Sequence, residues 1–290
     1  MQWQTDWGLR GRMALTMVLL FGLYIVFLGV LTLYFQSIVA VVLVMGLFMS
    51  AQFFFSDTLA LYSMGAREVG PDEYPELHRK VERLAQQADL PKPKVAVADS
   101  RAPNAFATGR SQDSAAVCVT TGIMRLLDDE ELEGVLAHEL AHVKNRDVMV
   151  MTIASFLSTI AFLVVRWGWL FTGGRNRGGQ QQAPVFVAIL LSLVVWVISF
   201  LLIRALSRYR EFAADRGGAS ITGRPAALAT ALMKIDSGME KVPSEDLRGQ
   251  SEMNAFFIIP IRSGFIGRLF STHPSTEKRI ERLQQLEREL

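Results

Sequence analysis

His138 and His142 stand four residues apart in the run HELAH. At 3.6 residues per turn they lie about 40° apart around a helix axis, so both imidazoles can reach one metal ion. Glu139 sits about 100° from His138, off the metal yet close to a water held there. This is the chemistry of hydrolysis, in which a metal supplies Lewis acidity and a carboxylate takes the proton of the attacking water and passes it to the leaving amine. Alone, H-E-x-x-H carries little information and arises by chance on amphipathic helices. A third donor on a second helix raises its weight. Glu211 in REFAAD supplies one, and Asp215, one turn later on the same face, is suited to accept a hydrogen bond from the free nitrogen of a ligand histidine. A solvated helix end is the alternative for those two carboxylates.

The elements that must carry these residues are legible from spacing. The segment 128–147, DDEELEGVLAHELAHVKNRD, has acids in its first turn and bases near its end, which complements the helix dipole and predicts one helix. Residues 76–88 have helical periodicity, and KVAVAD and AAVCVTTG read as short strands, giving a small α+β unit. IRALSRYREFAADRGGAS predicts a helix as far as Gly217-Gly218, and another helix follows Pro225. In the last segment Ile280, Leu283, Leu286 and Leu290 share a face, as an amphipathic helix docked on the domain requires. Residues 238–272, with Phe256, Phe257 and Phe265, lack periodicity and read as an exposed loop. Cys118 is read as a buried strand residue with no partner for a disulfide, and His78, in no motif, as a surface histidine.

Half of the 290 residues are hydrophobic, more than a soluble enzyme usually carries. Residues 13–55 hold no charged side chain, roughly 65 Å of helix against a hydrocarbon core of about 30 Å, so two crossings are predicted, turning at Gln36-Ser37. A second apolar pair spans about 148–171 and 185–203, parted by the polar stretch TGGRNRGGQQQAP; Arg166 near one end can snorkel. The expected organisation is a segment 1–12, a transmembrane hairpin 13–55 (about 13–35 and 38–55), a first catalytic part 56–147, a second hairpin 148–203, and a second catalytic part 204–290. Two crossings return the chain to its starting face, so Glu211 can meet the histidines.

The 30 basic and 28 acidic residues leave a net charge of +2, and no long-range field favours nucleic acid. Arg10, Arg12, Arg67, Lys144, Arg146, Arg204, Arg208 and Arg210 mark one side of the four spans, the cytoplasmic side by the positive-inside rule, with Arg175 and Arg177 against it.

Together, HELAH at 138–142, SRYREFAAD at 207–215, NAFATG at 104–109 and STHPSTEKR at 271–279 make the chain resemble the HtpX family of membrane metallopeptidases, related to the CAAX prenyl endopeptidases. The resemblance implies an α-helical multi-span membrane protein with a mainly helical α+β zincin-like (gluzincin) soluble catalytic domain. It implies one Zn²⁺ on His138, His142 and Glu211, and Glu139 as base. Asn104, Ala105 and Phe106 would align a substrate backbone by strand addition, or form an ordinary turn and core strand. His273 would donate a hydrogen bond to the tetrahedral oxyanion, and Arg279 would brace the site or pair with Asp215; helix capping and a surface ion pair are the alternatives.

The implied activity is ATP-independent cleavage of damaged or misassembled membrane proteins or other unfolded polypeptides, a stress-response quality-control role. It places a multi-pass protein in the inner membrane, with the catalytic domain and both termini in the cytoplasm. Two other functions stay open: a narrow-specificity CAAX-type processing peptidase, and a non-catalytic membrane scaffold tied together by zinc.

Overall fold

The computed structural model describes residues 7–34, 46–47, 50, 53–55, 57–58, 60–167, 182–242, 257–259 and 274–289. The chain divides into two compact units, one built on Phe55–Met149 with Ser207–Leu290 and the other on Gly8–Phe54 with Val150–Leu206.

In the first unit, the strands are β1 (Ala66–Glu68), β2 (Lys94–Ala98), β3 (Ala105–Thr108) and β4 (Ala116–Thr120), in the sheet order β1-β2-β4-β3. β2 and β4 run parallel, while β1 and β3 join antiparallel at the two sides, which among the described residues leaves β3 as an edge. α2 (Pro75–Gln87) begins on proline, whose fixed φ and missing N–H cost nothing in a first turn. The short α3 (Thr121–Leu126) is capped by Thr120, whose hydroxyl accepts from the Ile123 N–H at 3.2 Å.

α4 (Asp129–Lys144) carries the histidines. Its start is a capping box: Asp128 Oδ1 accepts from the Glu131 N–H, and Glu131 Oε2 from the Asp128 N–H, both at 3.0 Å. Residues Leu132 and Gly134–Ala141 are buried, so this is a central helix enclosed on most sides rather than a surface one. Two glycine contacts permit that enclosure. A Cβ on Gly134 would stand 3.1 Å from the Leu228 backbone of α7 (Pro225–Met239), and one on Gly218 only 2.9 Å from the His138 backbone nitrogen. Backbones therefore approach α4 where only glycine fits.

Gly218 also corrects the predicted helix end. α6 (Gln182–Thr222) runs unbroken for 41 residues through Gly217-Gly218 to Thr222. The tight contact with α4 outweighs the low helix propensity of the glycine pair. α8 (Thr276–Glu289) packs on α7 and buries Leu283, with Ile280 and Leu286 partly buried against the same core.

Two further expectations change. His78 is buried, with Nε2 3.0 Å from the Val69 carbonyl, because α2 turns it toward the chain beside β1 instead of toward solvent. Phe257, Ile258 and Ile259 belong to the core, with Phe257 only 1% exposed, so their apolar character reflects packing and not an exposed loop. Phe256 and Phe265 lie outside the described residues. Cys118 is buried in β4, and burial pushes its thiol up to about 12, which keeps it an uncharged core residue.

The second unit contains α1 (Trp7–Tyr34), most of α5 (Asp147–Trp167) and the N-terminal half of α6. Among the described residues its interior has two small clusters, Leu20, Tyr24, Ala154 and Leu206, and Phe27, Ala161 and Val195. Ala154 and Ala161 are two turns apart on α5, where small side chains permit close helix contact, and Tyr24 Oη donates to the Ala154 carbonyl at 2.5 Å. Large apolar side chains point outward, among them Val18, Phe21, Ile25, Leu190 and Leu201. Among the described residues, two stretches, Trp7–Phe27 and Ile189–Thr222, are long and apolar enough to cross a membrane. The turn predicted at Gln36-Ser37 and the polar loop before α6 lie outside the described residues.

Candidate functional site

α4 and α6 bring three donors together: one ligand atom each from His138, His142 and Glu211 lie within 4.8 Å of one another. The two Nε2 atoms are 3.1 Å apart, and the Glu211 oxygens lie 3.7 Å from His138 Nε2 and 3.6 Å from His142 Nε2. Donors around a tetrahedral zinc with bonds of about 2.0 to 2.2 Å stand roughly 3.3 to 3.6 Å apart, so the set fits that ion after small adjustments. Two imidazoles and one carboxylate are a common donor set for zinc in hydrolases, and three protein ligands leave a position for water.

The chemistry beyond the donors fits as well. His138 Nδ1 stands 3.0 Å from Asp215 Oδ1, directing Nε2 toward the cluster. Arg279 grips Asp215 with two nitrogens, Nε to Oδ2 at 2.9 Å and Nη2 to Oδ1 at 2.7 Å. Its Nη1 donates to the Ile258 carbonyl at 2.9 Å and lies 3.4 Å from Glu211 Oε2. A guanidinium only 2% exposed is tolerable here because two buried carboxylates and a carbonyl surround it.

Electrostatics at the centre are set by burial opposed by charge. Burial pulls His138 down, but hydrogen bonds to Asp215 and Glu211 outweigh both it and the nearby Arg279 charge, holding the imidazole at about 9. In Glu139, burial is the largest influence and raises the carboxyl above its ordinary range; the neighbouring histidines and the Ala107 N–H oppose it, and Glu211 adds to it. A carboxyl shifted that way is a better proton acceptor near neutral pH.

A metal must displace the His138 proton. Protonated imidazole cannot ligate, so apparent zinc affinity should rise with pH, about tenfold per unit while that proton is present, and flatten near pH 9. Without metal the sign reverses for stability: the contacts of the imidazolium stabilise the fold below pH 6.5 and are lost as pH rises through about 9. Competition against a chromophoric chelator across that interval measures the first effect, and an affinity independent of pH would contradict it.

The remaining sequence candidates divide. Glu139 is buried, and its Oε2 accepts from the Ala107 N–H of edge strand β3 at 2.8 Å. Asn104 pairs inward through its carbonyl, which accepts from the Thr120 N–H, so by alternation Ala105 and Ala107 turn their backbone polar groups away from β4. The side chains of Asn104 and Phe106 are buried, and Asn104 Oδ1 accepts from the Ile258 N–H at 2.9 Å. Of the three candidates, only Ala105 turns backbone groups away from β4; Asn104 and Phe106 are engaged inward by both backbone and side chain. His273 lies outside the described residues.

One residue was not singled out by sequence reasoning: Asp147, whose Oδ2 is 2.5 Å from His142 Nδ1. Beside His142 a small recess opens between the chain following β3 and the junction of α4 with α5, with Gly109, Arg110, Arg146 and Met149 in its wall.

The family model described as "Peptidase family M48" matches residues 71–287. A "Protease HtpX homolog 2" of Methanosarcina mazei is 54% identical over 292 residues, covering 100% of this chain and 99% of that protein. A "Protease HtpX homolog" of Moorella thermoacetica is 52% identical over 291 residues, covering 99% and 97%, and a "Protease HtpX homolog 1" of Streptomyces coelicolor is 49% identical, covering 100% and 96%. Among solved structures, the crystal structure of S. mikatae Ste24p has a similar fold, with a TM-score of 0.54 at 18% identity, covering 96% of this chain and 66% of that one. The matched span takes in both histidines, Glu139, Glu211, Asp215 and Arg279, and on that span and those full-length identities the chain belongs to peptidase family M48.

Proposed function

We propose that the protein is a zinc endopeptidase of the cytoplasmic membrane face that hydrolyses exposed segments of unfolded or misassembled polypeptides. The observation that carries this reading is the buried cluster of His138, His142 and Glu211, with Glu139 beside it on the same helix. Zinc bound there supplies the Lewis acidity that peptide hydrolysis needs at neutral pH.

The chain's own residues supply the rest. Glu139 Oε accepts the proton of the attacking water and delivers it to the departing amine nitrogen. Asp215, held by Arg279, keeps the His138 ring oriented with Nε2 toward the ion. The outward backbone of β3 offers hydrogen bonds to an extended polypeptide, which suits a peptidase that reads backbone more than sequence. His273 is assigned the hydrogen bond to the oxyanion on the strength of the resemblance alone.

Four spans, in the hairpins 13–55 and 148–203, are our reading of the apolar segments; the outward apolar faces of α1 and α6 support it. The basic flanks support a cytoplasmic position for the catalytic parts and both termini. Identity to HtpX homologues near half of all positions supports a quality-control role over the processing of prenylated termini.

The test uses purified full-length protein in detergent with zinc. It should cleave an unfolded reporter protein but not the same protein folded, and chelation should stop cleavage until zinc is restored. Cleavage that survives chelation would refute the zinc mechanism, and preference for a prenylated over an unmodified peptide would refute the substrate class.

A further inference from the structure

Each candidate ligand histidine is backed by its own carboxylate and guanidinium. For His138 the backing is Asp215 with Arg279. For His142 it is Asp147, at 2.5 Å from Nδ1, with Arg210 Nε 3.1 Å from the other Asp147 oxygen. Asp147 is 1% exposed. A carboxylate so buried stays ionised only beside a cation, which the Arg210 side chain provides.

This contact depends on a break in the chain that helix geometry makes necessary. Asp147 is five residues past His142, and on a continuous helix it would lie about 140° away around the axis, facing elsewhere. α4 instead closes at Asn145, whose N–H bonds the Ala141 carbonyl, and Arg146 adopts the left-handed conformation at φ 55° before α5 restarts at Asp147. That conformation is costly for a residue with a Cβ and persists where surrounding structure demands it. Here the turn brings Asp147 back under the second histidine.

We propose that Asp147 and Arg210 form a positioning pair for His142, fixing its ring with Nδ1–H on Asp147 and Nε2 free for the metal, so that much of the zinc affinity depends on them. The proposal rests on the reading of His138, His142 and Glu211 as zinc ligands. Asp147 accepts the Nδ1 proton; Arg210 holds the carboxylate in place and ionised. An imidazole held in the ligating orientation binds a divalent ion more tightly, and loss of such a partner typically costs about 10- to 100-fold in metal affinity.

The experiment is a zinc titration of full-length, metal-stripped protein against a chromophoric chelator, for wild type, Asp147→Asn and Arg210→Gln, with turnover of an unfolded reporter peptide measured in the same samples. Asp147→Asn should bind zinc about 10- to 100-fold more weakly, with KM for the peptide unchanged and turnover recovering as zinc is raised. Arg210→Gln should shift affinity in the same direction by a smaller factor, and it covers the case in which the first variant does not fold. A purely structural role would lower the unfolding temperature of both variants while their folded fraction bound zinc at wild-type affinity, and that result would overturn the proposal. If wild type itself takes up no zinc, the ligand assignment fails and the positioning pair with it. If wild type binds one zinc per chain and a folded variant matches it, only the positioning pair fails.

Discussion

Glu139→Gln should retain zinc and lose about 10²- to 10⁴-fold in kcat, the span that base catalysis typically contributes. Gln preserves the length and planarity of the side chain, and its carbonyl oxygen can still accept the Ala107 N–H that now bonds Glu139 Oε2. What it cannot do is take a proton. The loss should therefore appear in kcat with zinc content and the unfolding temperature near wild type. Stability could even rise slightly, because burial is the largest influence on Glu139 and disfavours its charged form. Zinc content by elemental analysis beside a cleavage assay checks both halves. Undiminished cleavage would remove Glu139 from the mechanism.

Arg279→Met should be the most destabilising single substitution in the site, by roughly 3 to 5 kcal/mol, the usual consequence of removing one partner from a buried ion pair. Met approximates the length of the aliphatic stem, so the loss reports charge and hydrogen bonds more than volume. Without the guanidinium, Asp215 and Glu211 remain buried side by side, and the Ile258 carbonyl loses its donor. The sign with pH follows from Asp215. Burial pushes its carboxyl up, but the Arg279 charge and the His138 contact outweigh burial and hold it below its ordinary value of 3.8. The pair thus stabilises the fold above that value and is lost as pH falls through the lower folded one. The gap between wild type and Arg279→Met in denaturant unfolding should narrow in acid. A constant gap of less than 1 kcal/mol would contradict the account of Arg279.

How much of this could be read in advance depended on whether a residue's partners lie on a regular element. His138, His142 and Glu139 share one helical turn, and Glu211 and Asp215 another, so spacing alone relates them. Their meeting in space needs only that two apolar segments lie between them. Asp147 escaped because 128–147 reads as one helix, on which it faces away from His142. The left-handed Arg146 that redirects it follows from tertiary packing and has no glycine to mark it. The continuation of α6 through Gly217-Gly218 escaped for a related reason. Propensity treats paired glycines as an end, whereas contact with the His138 backbone makes Gly218 the residue that lets α4 and α6 approach. Phe257 and His78 were misplaced because an isolated aromatic or histidine carries no periodicity, and only the fold decides its burial. The resemblance to HtpX proteins, by contrast, rested on four separate motifs and agrees with the relatives found over the full chain.

The proposed activity depends on a single catalytic zinc held by His138, His142 and Glu211. Its most direct test is to strip wild-type protein of metal and follow turnover as zinc is returned in substoichiometric steps. Turnover should start at background, rise in proportion to added zinc and level off at one ion per chain, with Glu211→Ala failing to reach that plateau at the same zinc concentrations. Full turnover in the stripped protein, or an unaltered titration of Glu211→Ala, would contradict it.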